Sequence, residues 1–496
     1  MTRKYPFKVN DTEYSASRGT ILGMAFVVLM LCYGILTQMH FSTDAYYTLF
    51  DMRPEGHLGQ GRFTIFFIIK VLTLFGVNSV VMQRVFTFLF LLLLAVSSTV
   101  LFDCLYTRIN HSLGSVCGML MVVLLSFTNI YYLELFLFPE MCLYWGIGTL
   151  LTIYAVKLTQ NRRPLSWCIA YLLLLLGLGV YQAMIGLYVI WCTTCAILER
   201  KVDSGSHFYK NYVKCLLIGG TASMTSIAVP KLIQMFGGSI DTLRSAGLSH
   251  LVENAILLIK EQKSVLIDGS SLYPKYTLIL VLIFAIGLFL YGMGQEKGNK
   301  GWGLMTVLVL VTNYAIIFAP HLVAGYVWLS PRAIIPMGSF AASLLLLALQ
   351  WMPGKTTILF IAVVQLFAIY QNLAISVDHF STNRLDQEYA RLLETQIEKY
   401  EVQSGIEVRN IAVRTDTSPQ WKYEPIRYMA YNVNERAYLN EWSDVTLLNY
   451  VSGRGYNKIG MPDEIYQEYF ANKNWDAWCP EEQLVFEGDT LYWVKY

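Results

Sequence analysis

This sequence is short of charge. Asp, Glu, Lys and Arg together make up 15% of its 496 residues, against 55% hydrophobic residues and a mean hydropathy of +0.44. Soluble domains carry about 25% charged residues, so the composition excludes a water-soluble fold for most of the chain. Lipid is its main solvent. No Cys/His cluster has zinc-ligand spacing, which removes a structural zinc module. Eight of the nine cysteines (Cys32, Cys104, Cys117, Cys142, Cys168, Cys192, Cys195 and Cys215) lie in or beside apolar runs, and only Cys479 lies in the polar tail. They read as small packing residues, not as a disulfide framework. There is no internal repeat, and the tail has no glycine motif for a nucleotide. No nucleic acid is expected among the partners.

What the sequence does have is a series of apolar runs near the length of about 20 residues needed to cross a bilayer, from Thr20 to Ala374. Eleven can be drawn, at about 20–39, 80–102, 114–129, 140–157, 165–180, 183–198, 212–229, 275–293, 302–320, 333–350 and 356–374. The first follows a basic leader (Arg3, Lys4, Lys8, Arg18), is too long for a signal-peptide core and has no small-residue cleavage site behind it. It reads as a retained helix. A twelfth stretch, Phe63 to Val77, contains Lys70 and is short for a crossing. If it lies in the interface, the leader, Arg108, Lys157, Arg162, Arg163, Arg200, Lys201, Lys210, Lys214, Lys297, Lys300 and Lys355 share one side. The positive-inside rule makes that side cytoplasmic. The amino terminus is then inside, and the acidic tail after Asp378 is outside.

The expected fold is therefore mostly α: a polytopic bundle of about eleven spans over residues 1–379, followed by a small extracytoplasmic α/β domain over 380–496. The tail carries 12 Lys/Arg against 19 Asp/Glu, a net of −7, which leaves +9 on the membrane part. Its first run, Arg384 to Val402, has apolar residues at helical spacing, and Val408–Val413 and Leu491–Val494 read as strands. The outer face owns the two large loops, Met39–Arg62 and Pro230–Pro274, and loops on a rigid scaffold are where function concentrates.

Asp44 stands in HFSTDAYY, a few residues past the first span. It is either a solvated acid or cap for a helix starting at Ala45, or a general base at the membrane surface, where Tyr46 and Tyr47 offer ring faces to a sugar. Glu134 and Glu140 flank the aromatic segment YYLELFLFPE. For Glu140 a functional role stands beside pairing with Arg62 or Arg84, while Glu134 reads as solvated. His321 reads as a boundary residue, and Trp328 and Tyr326 as an interfacial aromatic belt.

The order STDAYY with Asp44, GQGRF with Gly59, Gly61 and Arg62, then Phe138-Pro139-Glu140 and a late Arg332 in WLSPRAIIP resembles a known family. These are the bacterial O-antigen and surface-polysaccharide glucosyltransferases of the serotype-conversion type, in the membrane-embedded GT-C class. The resemblance covers roughly residues 20–380 and leaves the tail unassigned. It implies a bacterial inner or plasma membrane enzyme, a polyprenyl-phosphate sugar donor on the outer leaflet, and a cell-surface or lipid-linked glycan acceptor. A phosphate leaving group needs cations more than a proton donor, and Arg presents a planar fork to phosphate oxygens. Arg332 is then the first phosphate candidate, with Lys231 and Arg62 behind it; snorkelling to headgroups is the competing role for Arg332. Asp44 is the base, and Glu140, Tyr46 and Tyr47 are substrate-binding candidates. No cofactor is expected, a metal on Asp44 and Asp51 being the less favoured reading. A transporter or flippase of lipid-linked glycans is the alternative, but transporters place their polar residues near the midplane within inverted repeats, and here the charges sit at the outer boundary. A sensor or assembly protein worked by its tail is a third reading.

Overall fold

The computed structural model describes every residue except 1–2, 10–11, 53, 110, 203–205, 236–248, 296–299, 416–425, 472, 474–477 and 496. Lys297 and the central part of the Pro230–Pro274 loop thus lie outside the described residues, as do the side chains of Arg200, Lys201 and Lys300. The chain is predominantly helical and forms two compact units. One holds Met1–Gln38, Arg53–Phe136 and Glu140–Ala374; the other holds Met39–Met52, Leu137–Pro139 and Ile375–Tyr496. The loop with Asp44 therefore belongs to the same compact unit as the tail, which composition alone did not suggest.

In the first unit the basic leader is a hairpin. Strands β1 (Lys4–Val9) and β2 (Thr12–Ser17) pair antiparallel, with Lys4 opposite Ser17. Ser17 then caps the helix Arg18–Tyr33 by accepting from the Thr20 amide at 3.0 Å. The hairpin is anchored at Asp103, which is 4% exposed: Tyr5 donates its hydroxyl to that carboxylate, and Arg18 and Lys157 lie 3.4 and 3.6 Å from it. A buried carboxylate needs such company, since isolated it would cost several kcal/mol.

Among the described residues six helices are long and apolar enough to cross a membrane: Arg18–Thr37, Gln83–Tyr106, Pro139–Thr159, Phe208–Met235, Thr277–Gln295 and Lys355–Ser404. Leu113–Leu125 and Ile130–Phe136, bent by 50°, make a seventh if they count as one span. Pro164–Leu178, Met184–Glu199, Gly303–Ile316 and Pro336–Trp351 are apolar but shorter, and a 15-residue helix reaches only about 22 Å of a core about 30 Å thick. By length alone, six or seven of the eleven expected spans are met among the described residues, and the others correspond to these shorter helices. The expected span 114–129 illustrates the shortening. Its helix stops at Leu125, Tyr33 donates to the carbonyls of Phe127 and Asn129 at 2.8 and 3.1 Å, and the Asn129 side chain accepts from the Tyr131 amide. Gly338 packs against Asn129 so closely that a Cβ there would lie 2.3 Å from its amide nitrogen.

In the second unit, β3 (Asn410–Thr415), β4 (Asn457–Gly460), β5 (Leu484–Glu487) and β6 (Thr490–Lys495) form a sheet of order β4-β3-β6-β5. β3 runs parallel to both neighbours, and β5 and β6 form a hairpin through Gly488, whose φ of 59° suits glycine. Phe470 and Val494 centre its small core, and Asp444, 1% exposed, binds Lys495 at 2.6 Å and Lys458 at 2.8 Å. Burial still pushes the Lys495 amine down to about 8. One helix, Lys355–Ser404, covers both the expected last span and the amphipathic run after Arg384.

Candidate functional site

The GQGRF segment is folded by its glycines. Gly61 has φ +75°, and a Cβ there would lie 3.1 Å from the Pro230 ring and 3.3 Å from the Gln182 amide. Gln182 donates to the Gln60 carbonyl at 3.0 Å. Just after it, the helix Phe63–Leu74 is tied to the helix Pro164–Leu178 and its C-terminal cap: the Thr64 amide donates to the Gly179 carbonyl at 3.0 Å and the Thr64 hydroxyl to Leu176 at 2.8 Å. These contacts fix Arg62 beside Pro230, with its guanidinium 5.4 Å from the centre of the Tyr181 ring. Lys231 follows Pro230 near the end of the helix Ser206–Met235.

Arg332 reaches the same place from a late 3-10 turn, Pro331–Ile334. It is packed mostly against protein. Its side chain is 12% exposed, its guanidinium lies 3.6 Å from Glu134 and 5.2 Å from the centre of the Trp328 ring, and its backbone amide donates to Glu134 at 2.5 Å. Glu134 is fully buried, which corrects its reading as a solvated acid. The signal was available: an acid inside YYLELFLFPE must find a partner. Arg62, Lys231 and Arg332 all line one cavity of about 490 Å³, with Tyr326, Trp328 and His321. The remaining walls are largely apolar, Leu216, Met224 and Ile227 among them. Burial lowers the His321 imidazole to about 4, so near neutral pH it adds no charge there.

Glu140 sits in a second 3-10 turn, Pro139–Met141, at 2% exposure, and is not among the residues lining this cavity.

In the second unit, Asp44 lies in the first turn of the helix Thr43–Phe50. Ser42 caps that helix, accepting from the Ala45 amide at 2.9 Å, so the cap role imagined for Asp44 is already filled. Asp44 is exposed, and its carboxylate accepts the indole N–H of Trp442 at 3.1 Å. Trp442 is half exposed and nearly 400 residues away; no local pattern could have named it. Tyr46 and Tyr47 part company. Tyr46 is 1% exposed, stacked on Phe41 with ring centres 4.7 Å apart and flanked by Tyr450, so its faces are taken by protein, contrary to its expected role toward a sugar. Tyr47 is half-buried and donates to Asp51 at 3.3 Å. Among the described residues no group of three or more His, Cys, Asp or Glu is arranged to hold a metal ion.

No curated protein and no solved structure matches this chain. A family model described as Glucosyl transferase GtrII matches residues 33–349, a span that includes Asp44, Arg62, Glu140, Lys231 and Arg332 but not Trp442. With well over half of its length inside that match, the chain belongs to the GtrII glucosyl transferase family.

Proposed function

We propose that this glucosyltransferase takes glucose from a polyprenyl-phosphate donor and transfers it, with inversion, to a cell-surface polysaccharide or lipid-linked glycan on the outer face of a bacterial inner membrane, on a GT-C-like scaffold. The family supports the sugar and the reaction class. The observation that carries the donor is the cavity where Arg62, Lys231 and Arg332 converge among apolar walls. A lipid phosphate is an anion on an apolar tail, and those walls suit both parts. The cations offset the charge that develops on phosphate as the anomeric C–O bond breaks, which is where electrostatic preorganisation lowers a barrier. Glu134 holds the Arg332 fork, so no ordering is needed when the donor arrives.

Asp44 is the proposed general base. It takes the proton of the acceptor hydroxyl as that oxygen attacks the anomeric carbon, and the polyprenyl phosphate leaves from the opposite side. Trp442 orients the carboxylate through its indole N–H and presents an exposed ring to the acceptor. Purified protein given polyprenyl-phosphate glucose and a surface glycan should yield a linkage of inverted anomeric configuration, read by NMR. A retained configuration would rule out the single displacement.

The outer location rests on the eleven-crossing topology, in which the short apolar helices also traverse the membrane and Phe63–Leu74 lies in the interface. A cysteine at exposed Gln403 should react with a membrane-impermeant thiol reagent in intact spheroplasts. Ser418, also expected outside, lies beyond the described residues. Labelling of Gln403→Cys only after lysis would put the tail, and with it the acceptor, on the cytoplasmic side.

A further inference from the structure

The helix Ser206–Met235 carries cations near both ends. Lys210 and Lys231 are 21 positions apart. At about 1.5 Å per residue that is roughly 32 Å, close to the hydrocarbon thickness of about 30 Å. Lys231 lines the cavity already described. Lys210 lines another, of about 980 Å³, together with Arg108, Arg162, Trp167, Glu199 and Lys214.

This second cavity is built, not merely basic. Glu199 accepts from the Arg108 guanidinium at 3.0 Å and from the Asn211 amide, so the one acidic side chain in the wall is engaged. Asn211 in turn accepts from Lys214 at 3.0 Å, and the Lys214 ammonium sits 5.2 Å from the centre of the Trp167 ring. Trp167 is fixed by donating its indole N–H to the Asn161 carbonyl at 2.7 Å. Arg162 and Lys210 are exposed and form no ion pair among the described residues. Four cations thus share this lining with one carboxylate that is already committed, and Leu217 and Ile218 add apolar surface to it. Arg163, the next cation along, is not part of the wall.

We infer that this cavity binds the phosphate group of an anionic lipid at the membrane interface opposite the Arg62, Lys231 and Arg332 cavity. A basic pocket between helices, lined also by a fixed tryptophan and by apolar residues, matches a phosphate joined to acyl or prenyl chains. The inference does not depend on the catalytic reading, because none of these residues serves it.

The test is photolabelling of the purified full chain in detergent with a diazirine-bearing phosphatidylglycerol, mapped by mass spectrometry. Label should appear in segments 157–168 and 206–218. In the Arg162→Ala, Lys210→Ala double variant, whose changed side chains are exposed, labelling should fall by about tenfold or more. Arg163→Ala should label as wild type does. Unlabelled phosphatidylglycerol, polyprenyl phosphate and inorganic phosphate then compete. Stronger competition by phosphatidylglycerol identifies a phospholipid headgroup, and stronger competition by polyprenyl phosphate identifies the lipid carrier. Undiminished labelling in the double variant, equal labelling by a phosphatidylcholine probe, or displacement by inorganic phosphate as strong as that by either lipid would overturn the inference.

Discussion

Asp44→Asn lowers turnover by about 10² to 10⁴-fold while leaving donor binding nearly intact, if this carboxylate is the general base. The substitution is well suited to the question. Ser42, not Asp44, caps the helix Thr43–Phe50, so the local fold does not depend on the charge. The Asn side-chain oxygen can still accept the Trp442 indole at the present 3.1 Å, so the side chain need not move. What disappears is the ability to take a proton at neutral pH. Near-normal turnover in a correctly inserted Asn variant would remove Asp44 from the mechanism. Loss of donor binding as well would recast it as a structural or metal-binding residue. Trp442→Phe should have a milder effect, raising the acceptor KM more than it lowers kcat, because the ring remains and only the orienting N–H is lost.

The second large effect is expected at Arg332. Removing one partner of a desolvated, hydrogen-bonded charge pair costs about 2 to 5 kcal/mol, and Arg332→Ala should weaken polyprenyl-phosphate binding on that scale. The single variant also leaves Glu134 buried and without this partner, and such a residue can unfold its surroundings. The informative variant is therefore Arg332→Ala combined with Glu134→Gln, which removes both charges. Thermal stability should recover in the double variant and donor affinity should not. Recovery of both would assign Arg332 a structural role alone. Arg332→Lys keeps the charge but loses the planar fork, and restores affinity only in part.

The membrane character of the chain was legible because hydropathy is a sum over many residues, and single errors average out. Span lengths were less so. Whether an apolar run stays helical to its end depends on tertiary partners such as the Tyr33 hydroxyl, which takes the carbonyls of Phe127 and Asn129 at the break after Leu125. The leader read only as basic, and its hairpin was not seen, because the anchor of that hairpin, Asp103, lies about a hundred residues away. Among site candidates, the three cations shared a sequence context, each beside a proline or glycine at the edge of an apolar run, and Gly61 and Pro230 bring two of them together. Tyr46 and Tyr47 could not be told apart from sequence, since adjacent helical positions point in different directions and only packing decides which is buried. For Glu134 the apolar context called for a partner, but only the fold shows that it is Arg332, 198 residues away.

The central claim is that the sugar arrives on a lipid phosphate held by Arg62, Lys231 and Arg332. The most direct measurement gives purified full-length protein, with one glycan acceptor, radiolabelled glucose either as polyprenyl-phosphate glucose or as a nucleotide-diphosphate glucose, and follows label in the glycan. The account predicts transfer from the lipid donor, with equimolar release of polyprenyl phosphate, and none above background from the nucleotide donor. Comparable transfer from the nucleotide sugar, or transfer from the lipid donor that is unchanged when Arg62, Lys231 and Arg332 are all replaced by Gln, would contradict it.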